Sequence, residues 1–344
     1  MMLVLWLMLG LWCLGWVMGT PKRVRWGAIA ALWVAVILAN LALPLGHPVR
    51  TATGGDARVW GVAALALGVI LGYRYILNYL KNSIKLTSPA EAPAAFSDGE
   101  VARYARHILL REIGGPGQRK LKAARVLVVG AGGLGSPVLL YLAAAGVGEI
   151  TVIDDDRVDT SNLQRQIIHR DQHIGMTKVQ SAEIAMRALN PFVTVTPHRL
   201  RLDESSATMV AAHDLVLDGS DNFDTRYLVN RLCVQAGKPL IAGAITQWEG
   251  QLSIYDAAQE SPCYECVFPV RPAPGMVSSC AEAGVAAALP GVVGSMMAME
   301  AIKLITGAGA PLRGRLLIYD ALYAETRVIV VKRREDCAVC GVSH

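Results

Sequence analysis

The sequence predicts an α/β fold, a mostly parallel sheet with an antiparallel extension, preceded by three membrane-spanning helices. Three observations predict it. The segment RVLVVGAGGLGSP, Arg125 to Pro137, is a short β-branched strand that breaks into glycines and leads to a helix start. Further apolar strands, EITVID and DLVLDG, also end in acidic or small residues before helical stretches. The first 80 residues, by contrast, hold three long apolar runs, and they account for much of the 53% hydrophobic content of this 344-residue chain.

Met1 to Met18 carries three tryptophans and no charge, and it lacks the basic start and small-residue cleavage site of a signal peptide. Spans are expected at about 2–19, 26–43 and 59–76, together forming an anchor over 1–80. The third is rich in glycine and alanine, as close-packed membrane helices tend to be. Basic residues concentrate in PKRVR and at Arg74, Lys81 and Lys85, two loops separated by an even number of spans. Basic loops stay cytoplasmic, so the N-terminus is expected outside an inner membrane and everything after Leu80 in the cytoplasm. Residues 81–96, with TSPAEAPAA at 87–95, read as a linker, and 97–344 as a separate globular domain.

In that domain SDGEVARYARHILLREIG reads as a capped helix with Tyr104, Ile108 and Leu109 near one face and Arg103 and Arg106 off it. Gly130, Gly132, Gly133 and Gly135 then fit G-x-G-x-x-G, where missing side chains let backbone N–H groups approach phosphate. Ser136 and Pro137 suit the following helix start. Asp154 ends the second strand, where a carboxylate can bond a ribose hydroxyl. These features together indicate a nucleotide site. The polar stretch after it holds Asp156, Asn162, Arg165 and Lys178, with Lys178 opening a helix that ends at Asn190. Alternation at Val193, Val195 and Pro197 predicts another strand. After the strand Leu215–Leu217 and Asp218, Asp221 and Asn222 begin a helix at the sheet edge where such folds bind ligands, and capping there does not exclude ligand or metal contact. PLIAGAI is a strand, and GQLSIYD begins the antiparallel extension. The apolar stretch Gly284–Thr306 reads as a buried helix, because Pro290, nearby glycines, Glu300 and Lys303 interrupt it.

The formal charge of +5 comes without a basic run interleaved with aromatics, so no nucleic-acid partner is expected. Of seven cysteines, Cys263 and Cys266 form one C-x-x-C pair and Cys337 and Cys340 another, a pattern that favours a zinc-thiolate site over redox pairs and implies a reducing compartment.

GAGGLGSP, the aspartate-rich strand end, SNLQRQ, TKVQSA, LVLDGSDN, SCAEAGV and the two cysteine pairs resemble the molybdopterin-synthase and thiamine-biosynthesis adenylyltransferases, relatives of ubiquitin-activating enzymes. The resemblance runs from about Arg103 to Gly341 and leaves out the three spans. It implies a Rossmann-like ATP-binding enzyme with structural Zn2+. Such an enzyme uses ATP and Mg2+ to adenylate the C-terminal Gly-Gly of a ubiquitin-like sulfur-carrier protein, that of molybdopterin synthase first and of thiamine synthesis next. By resemblance, Asp154 holds the ribose, Asp156 is a further nucleotide-binding residue, the Gly130–Gly135 loop lies along the nucleotide, and Asn162, Arg165 and Lys178 address phosphates. Asp221, beside Asn222, helps hold magnesium. Arg106 matches an arginine that reaches into a partner subunit's site, which implies a homodimer. Cys280 is expected to be dispensable for adenylation and to act, if at all, as a later thiol. No sulfurtransferase segment is recognised, so a separate sulfur donor is expected. The alternatives are a dehydratase resembling those that cyclise threonylcarbamoyladenosine in tRNA, a nicotinamide-dependent oxidoreductase, and a non-catalytic membrane scaffold.

Overall fold

The computed structural model describes residues 2–44, 46–83, 96–272 and 284–341. They form two compact units, Met1–Glu91 and Ala92–His344. Cys280 and the tether expected at 87–95 lie outside the described residues.

The first unit holds α1 (Met2–Val17), α2 (Lys22–Ala42), α3 (Pro48–Thr53) and α4 (Ala57–Ser83). At 16 residues α1 is about 24 Å long, short of a hydrocarbon core of about 30 Å and shorter than the span expected over 2–19. Val4, Val36 and Trp60 bury a small contact between the helices. It is tied by Asn40, whose Nδ2 donates to Thr53 Oγ1 at 2.8 Å, and by Trp60 Nε1, which donates to the Thr53 carbonyl at 3.0 Å. Among the described residues nothing lies within 4 Å of where a Cβ would stand at Gly61, Gly68 and Gly72. Among the described residues, three helical stretches are long and apolar enough to cross a membrane: Lys22–Ala42, Pro48–Ile76 and Leu289–Thr306. The third is more than half buried inside the second unit, as its interrupting proline and charges foretold.

The second unit opens with α5 (Asp98–Ile108), whose capping box pairs Ser97 and Glu100. Tyr104 is buried, but Leu109 is the residue that ends the helix and is 74% exposed, not part of its apolar face. After α6 (Gly114–Ala123) come β1 (Arg125–Val129), α7 (Gly135–Ala145), β2 (Glu149–Ile153), α8 (Lys178–Leu189), β3 (Thr194–His198), α9 (Ala207–Ala211), β4 (Leu215–Asp218), α10 (Phe223–Ala236) and β5 (Leu240–Ile245). The antiparallel part follows as β6 (Glu249–Tyr255), α11 (Tyr264–Val267), the helix Leu289–Thr306, β7 (Arg315–Asp320) and β8 (Glu325–Val330). The sheet runs β3-β2-β1-β4-β5-β6-β7-β8, parallel as far as β5 and antiparallel beyond.

The period of a strand explains the core. On β1, Val126 and Val128 join the cluster that includes Leu139, Leu142 and Met297, while Leu127 and Val129 join Val216, Tyr227 and Leu232 on the other face. Both faces are covered, so the strand reads as continuous apolar sequence. Two glycines bring the Leu289–Thr306 helix onto the sheet and α7. A Cβ at Gly243 would lie 2.5 Å from Met297 Sδ, and one at Gly294 would lie 2.4 Å from the Leu134 carbonyl oxygen. The order places β2 and β4 on opposite sides of β1, which opens a crevice at the strands' carboxyl ends.

Candidate functional site

A cavity of about 650 Å³ occupies that crevice. Its floor is the glycine loop. Gly130 has φ +94°, and a Cβ there would press on Gly219 at 3.1 Å, so the chain needs glycine to turn off β1. A Cβ on Gly135 would stand 1.9 Å from the Gly130 carbonyl oxygen. Gly132 and Gly133 line the cavity, whereas Gly135 packs α7 on the strand end and does not line it. Ser136 does not cap α7 but lies inside its first turn, donating its hydroxyl to the Gly132 carbonyl at 2.7 Å.

Asp154 follows β2 and is held by two backbone donors, Ala131 N–H at 2.8 Å to Oδ2 and Asp156 N–H at 2.9 Å to Oδ1. Burial pushes its carboxyl above the usual carboxylate range, against the charge of Lys178 and those two donors. Lys178, the first residue of α8, is only 5% exposed, and its Nζ reaches Asp156 Oδ2 at 2.7 Å. A buried ammonium paired to a more exposed carboxylate is thus aimed at the cavity it lines. Arg165 also lines it, its Nη2 donating to Asn162 Oδ1 at 3.1 Å; Asn162 supports this guanidinium from outside the lining. Asp221 and Asn222 form the opposite rim. Asn222 Oδ1 accepts the Thr225 N–H at 2.8 Å as the N-cap of α10, while Asp221 is exposed. Arg106 is exposed on α5 and does not line this cavity.

Two buried polar side chains that sequence reasoning did not select also line the cavity. Arg226 is buried, donates to the Ser220 and Gly243 carbonyls at 2.8 and 3.0 Å, and faces Asp218 at 3.6 Å. Burial raises the carboxyl of Asp218, opposed by Arg226. Gln166, also buried, lines the cavity with its Oε1 unpartnered. The signal for Arg226 was a charge placed among apolar residues of FDTRYLVN; Gln166 sits next to Arg165 and carried no separate signal. The far end is lined by Thr246, Gln251, Tyr264 and Phe268, giving the crevice length beyond the glycine loop.

Away from the cavity, the two cysteine pairs meet as expected. Sγ separations are 3.8 Å for Cys263–Cys266, 3.6 Å for Cys263–Cys337 and 3.3 Å for Cys266–Cys340. Sulfurs about 2.3 Å from a tetrahedral zinc stand roughly 3.8 Å apart, and all four here lie within 4.8 Å of one another. Burial pushes the Cys266 thiol up to about 11 and Cys263 higher still, whereas at Cys337 hydrogen bonds from the backbone and from its neighbouring sulfurs outweigh burial and lower the thiol to about 7. The donor set fits zinc.

Fold and site together define a nucleotide-binding α/β enzyme whose cations are arranged at the carboxyl edge of the sheet. The ThiF family model matches residues 104–339. The chain therefore belongs to the ThiF family, and it is an adenylyltransferase. It is 50% identical over 247 residues to the sulfur carrier protein adenylyltransferase of Thermus thermophilus, an alignment covering 70% of this chain and 91% of that one. It is 49% identical over 243 residues to the SAMP-activating enzyme E1 of Haloferax volcanii, covering 70% and 89%. Among solved structures it is similar to E. coli MccB with AMPCPP and MccA, at a TM-score of 0.61 and 25% identity, covering 70% of this chain and 74% of that one.

Proposed function

We propose that the protein uses Mg-ATP to adenylate the C-terminal Gly-Gly carboxylate of a ubiquitin-like sulfur-carrier protein, first that of molybdopterin synthase and next that of thiamine synthesis. The observation that carries this reading is the cavity itself. The glycine loop and buried Lys178 stand at one end and a long polar and aromatic passage at the other, room for a nucleotide and an extended peptide tail. The similarity to named sulfur-carrier activating enzymes supports the same substrate class.

In the reaction a terminal carboxylate oxygen of the carrier bonds to the α-phosphorus, the bond from that phosphorus to the bridging oxygen breaks, and pyrophosphate leaves. The attack brings one anion onto another, so developing charge must be met by fixed cations and donors. Lys178 and Arg165 supply them at the phosphates, each oriented by a neighbour, Asp156 and Asn162. Asp154 takes the ribose, its carboxylate fixed by two backbone N–H groups. Magnesium, a hard cation that prefers oxygen ligands, would be held with the help of Asp221 and would neutralise charge on the phosphates. Zinc on the four cysteines would have a structural role. Arg106, exposed on α5, would complete the site of a second copy in a homodimer. The long apolar helices α2 and α4 would hold the enzyme at the inner membrane with residues 97–344 in the cytoplasm. A separate protein would supply sulfur.

ATP–pyrophosphate exchange by the full-length protein in detergent tests the reading. Exchange is expected with one intact carrier and not with its version lacking the terminal glycines. Exchange with neither carrier, despite ATP binding, would refute it.

A further inference from the structure

We propose that His169, Ser181 and His173 form a buried brace that sets the orientation of the glycine loop, His169 acting as a positioning residue for ATP. The proposal deepens the adenylation reading and rests on it. His169 Nε2 lies 2.9 Å from the Ala131 carbonyl oxygen, and its Nδ1 lies 2.9 Å from Ser181 Oγ. His173 Nδ1 reaches the same hydroxyl at 2.9 Å. Ser181 is wholly buried, and His169 and His173 are 5% and 7% exposed.

Donor arithmetic fixes every proton. A carbonyl oxygen only accepts, so His169 Nε2 must carry hydrogen and donate to Ala131. Burial lowers this imidazole to about 4, against its bond to Ala131 and with help from the charges of Lys178 and His173; the ring is neutral and its Nδ1 is an acceptor. Ser181 therefore donates its single hydrogen to His169, and His173 Nδ1–H must donate to Ser181 Oγ. The chain runs one way, from His173 through Ser181 and His169 to Ala131.

The direction matters because of what Ala131 does. Its N–H is already given to Asp154 Oδ2 at 2.8 Å, and its C=O is held by His169, so both of its peptide groups are fixed. In a trans peptide the next N–H points opposite to the C=O. Pinning the Ala131 carbonyl to His169 therefore turns the Gly132 N–H away from His169, at the residue that lines the cavity. That is a backbone donor preset for phosphate, and it needs no reorientation when ATP arrives. Ser181 stands one turn along α8 from Lys178, so the brace also ties this loop to the helix that carries the buried ammonium. The glycine pattern permits the approach of phosphate; the histidines decide which way the peptide faces.

The test uses full-length protein, titration calorimetry with Mg-ATP, and exchange with the active carrier. For His169→Leu the Kd and KM for ATP are expected to rise about tenfold, the loss of roughly one well-placed hydrogen bond, with kcat and the carrier KM within twofold. Ser181→Ala, a smaller change that keeps the fold, is expected to raise both about threefold, and His169→Gln, which retains a donor toward Ala131, to restore much of the affinity. A purely structural role would lower kcat with the folded fraction and leave the ATP KM unchanged. That pattern, or unchanged ATP affinity in His169→Leu and Ser181→Ala, would overturn the brace. Wild-type protein that binds Mg-ATP without exchange would refute carrier adenylation while calorimetry still decides the brace; wild-type protein that does not bind Mg-ATP would overturn both.

Discussion

Replacing Gly135 and Gly132 with alanine, one at a time, separates two uses of glycine in a single loop. A Cβ at Gly135 would lie 1.9 Å from the Gly130 carbonyl oxygen, backbone against backbone, with no side-chain tip to yield. Reaching an ordinary contact of about 3.4 Å requires the strand end and the start of α7 to part by roughly 1.5 Å. Overpacking of this kind costs about 3 kcal/mol, which for a domain of this size lowers the melting temperature by roughly 6–12 °C. The same displacement moves Gly130 and the loop after it, so exchange activity should fall about a hundredfold even in protein that remains folded. At Gly132 the added methyl would meet only Gln166 Nε2 at 3.6 Å, an ordinary van der Waals distance. Gly132→Ala should therefore melt within about 2 °C of wild type, since its change lies within about 0.5 kcal/mol. Its methyl projects where the cavity is lined, so the ATP KM should rise while the fold stands. Calorimetric melting and ATP–pyrophosphate exchange read the two effects. A Gly135→Ala protein that melts with wild type would refute the steric reasoning, as would a Gly132→Ala protein with the larger loss of stability.

Four further outcomes are expected. Asp221→Asn should abolish exchange while leaving zinc content and oligomeric state intact, and unchanged activity would remove Asp221 from the reaction. Cys280→Ala should retain pyrophosphate exchange; its loss in a folded protein would make that thiol part of adenylation. Zinc is expected at one ion per chain by elemental analysis, and chelation or Cys337→Ser should lower the melting temperature of the second unit, whereas a metal-free wild-type protein of equal stability would exclude a structural ion. The fourth outcome concerns pH. His169 titrates near 4 when folded against an ordinary 6.5, so the unfolded chain binds the proton first and stability is lost as pH falls from 6.5 toward 4. That loss amounts to about 2 kcal/mol by pH 5. Melting of His169→Gln should accordingly drop less than wild type between pH 7 and pH 5, by roughly 4–8 °C, and parallel curves would show that His169 is not the group involved.

The parts of this molecule that were legible in advance are those whose physics is local. Val126–Val129 announces a strand covered on both faces, Asp154 and Asp218 fall at strand ends, and SDGEVARY announces a capped helix start. The cysteine pairs were legible as pairs, and only the turn of the chain after β8 brings them together. Features that depend on a neighbour from elsewhere were hidden. Arg226 became part of the cavity through Asp218 and the Gly243 carbonyl, and His169 gained its meaning from Ala131, 38 residues away. β8 was unread because all six of its residues are exposed and no alternation marks an inward face.

The sulfur cluster has a consequence in time as well as in space. Cys263 and Cys337 touch across 74 residues of chain, and Cys266 and Cys340 across another 74. During synthesis the parallel strands β1 to β5 can assemble as they emerge, yet the clasp cannot shut until everything from α11 through β8 has been made. Between those moments the Leu289–Thr306 helix, apolar enough to enter a bilayer, is newly made beside a chain whose first helices are of similar character. Its burial against α7 and the sheet takes that apolar surface out of reach of any other apolar partner, and in chain order the closing of the four sulfurs comes last.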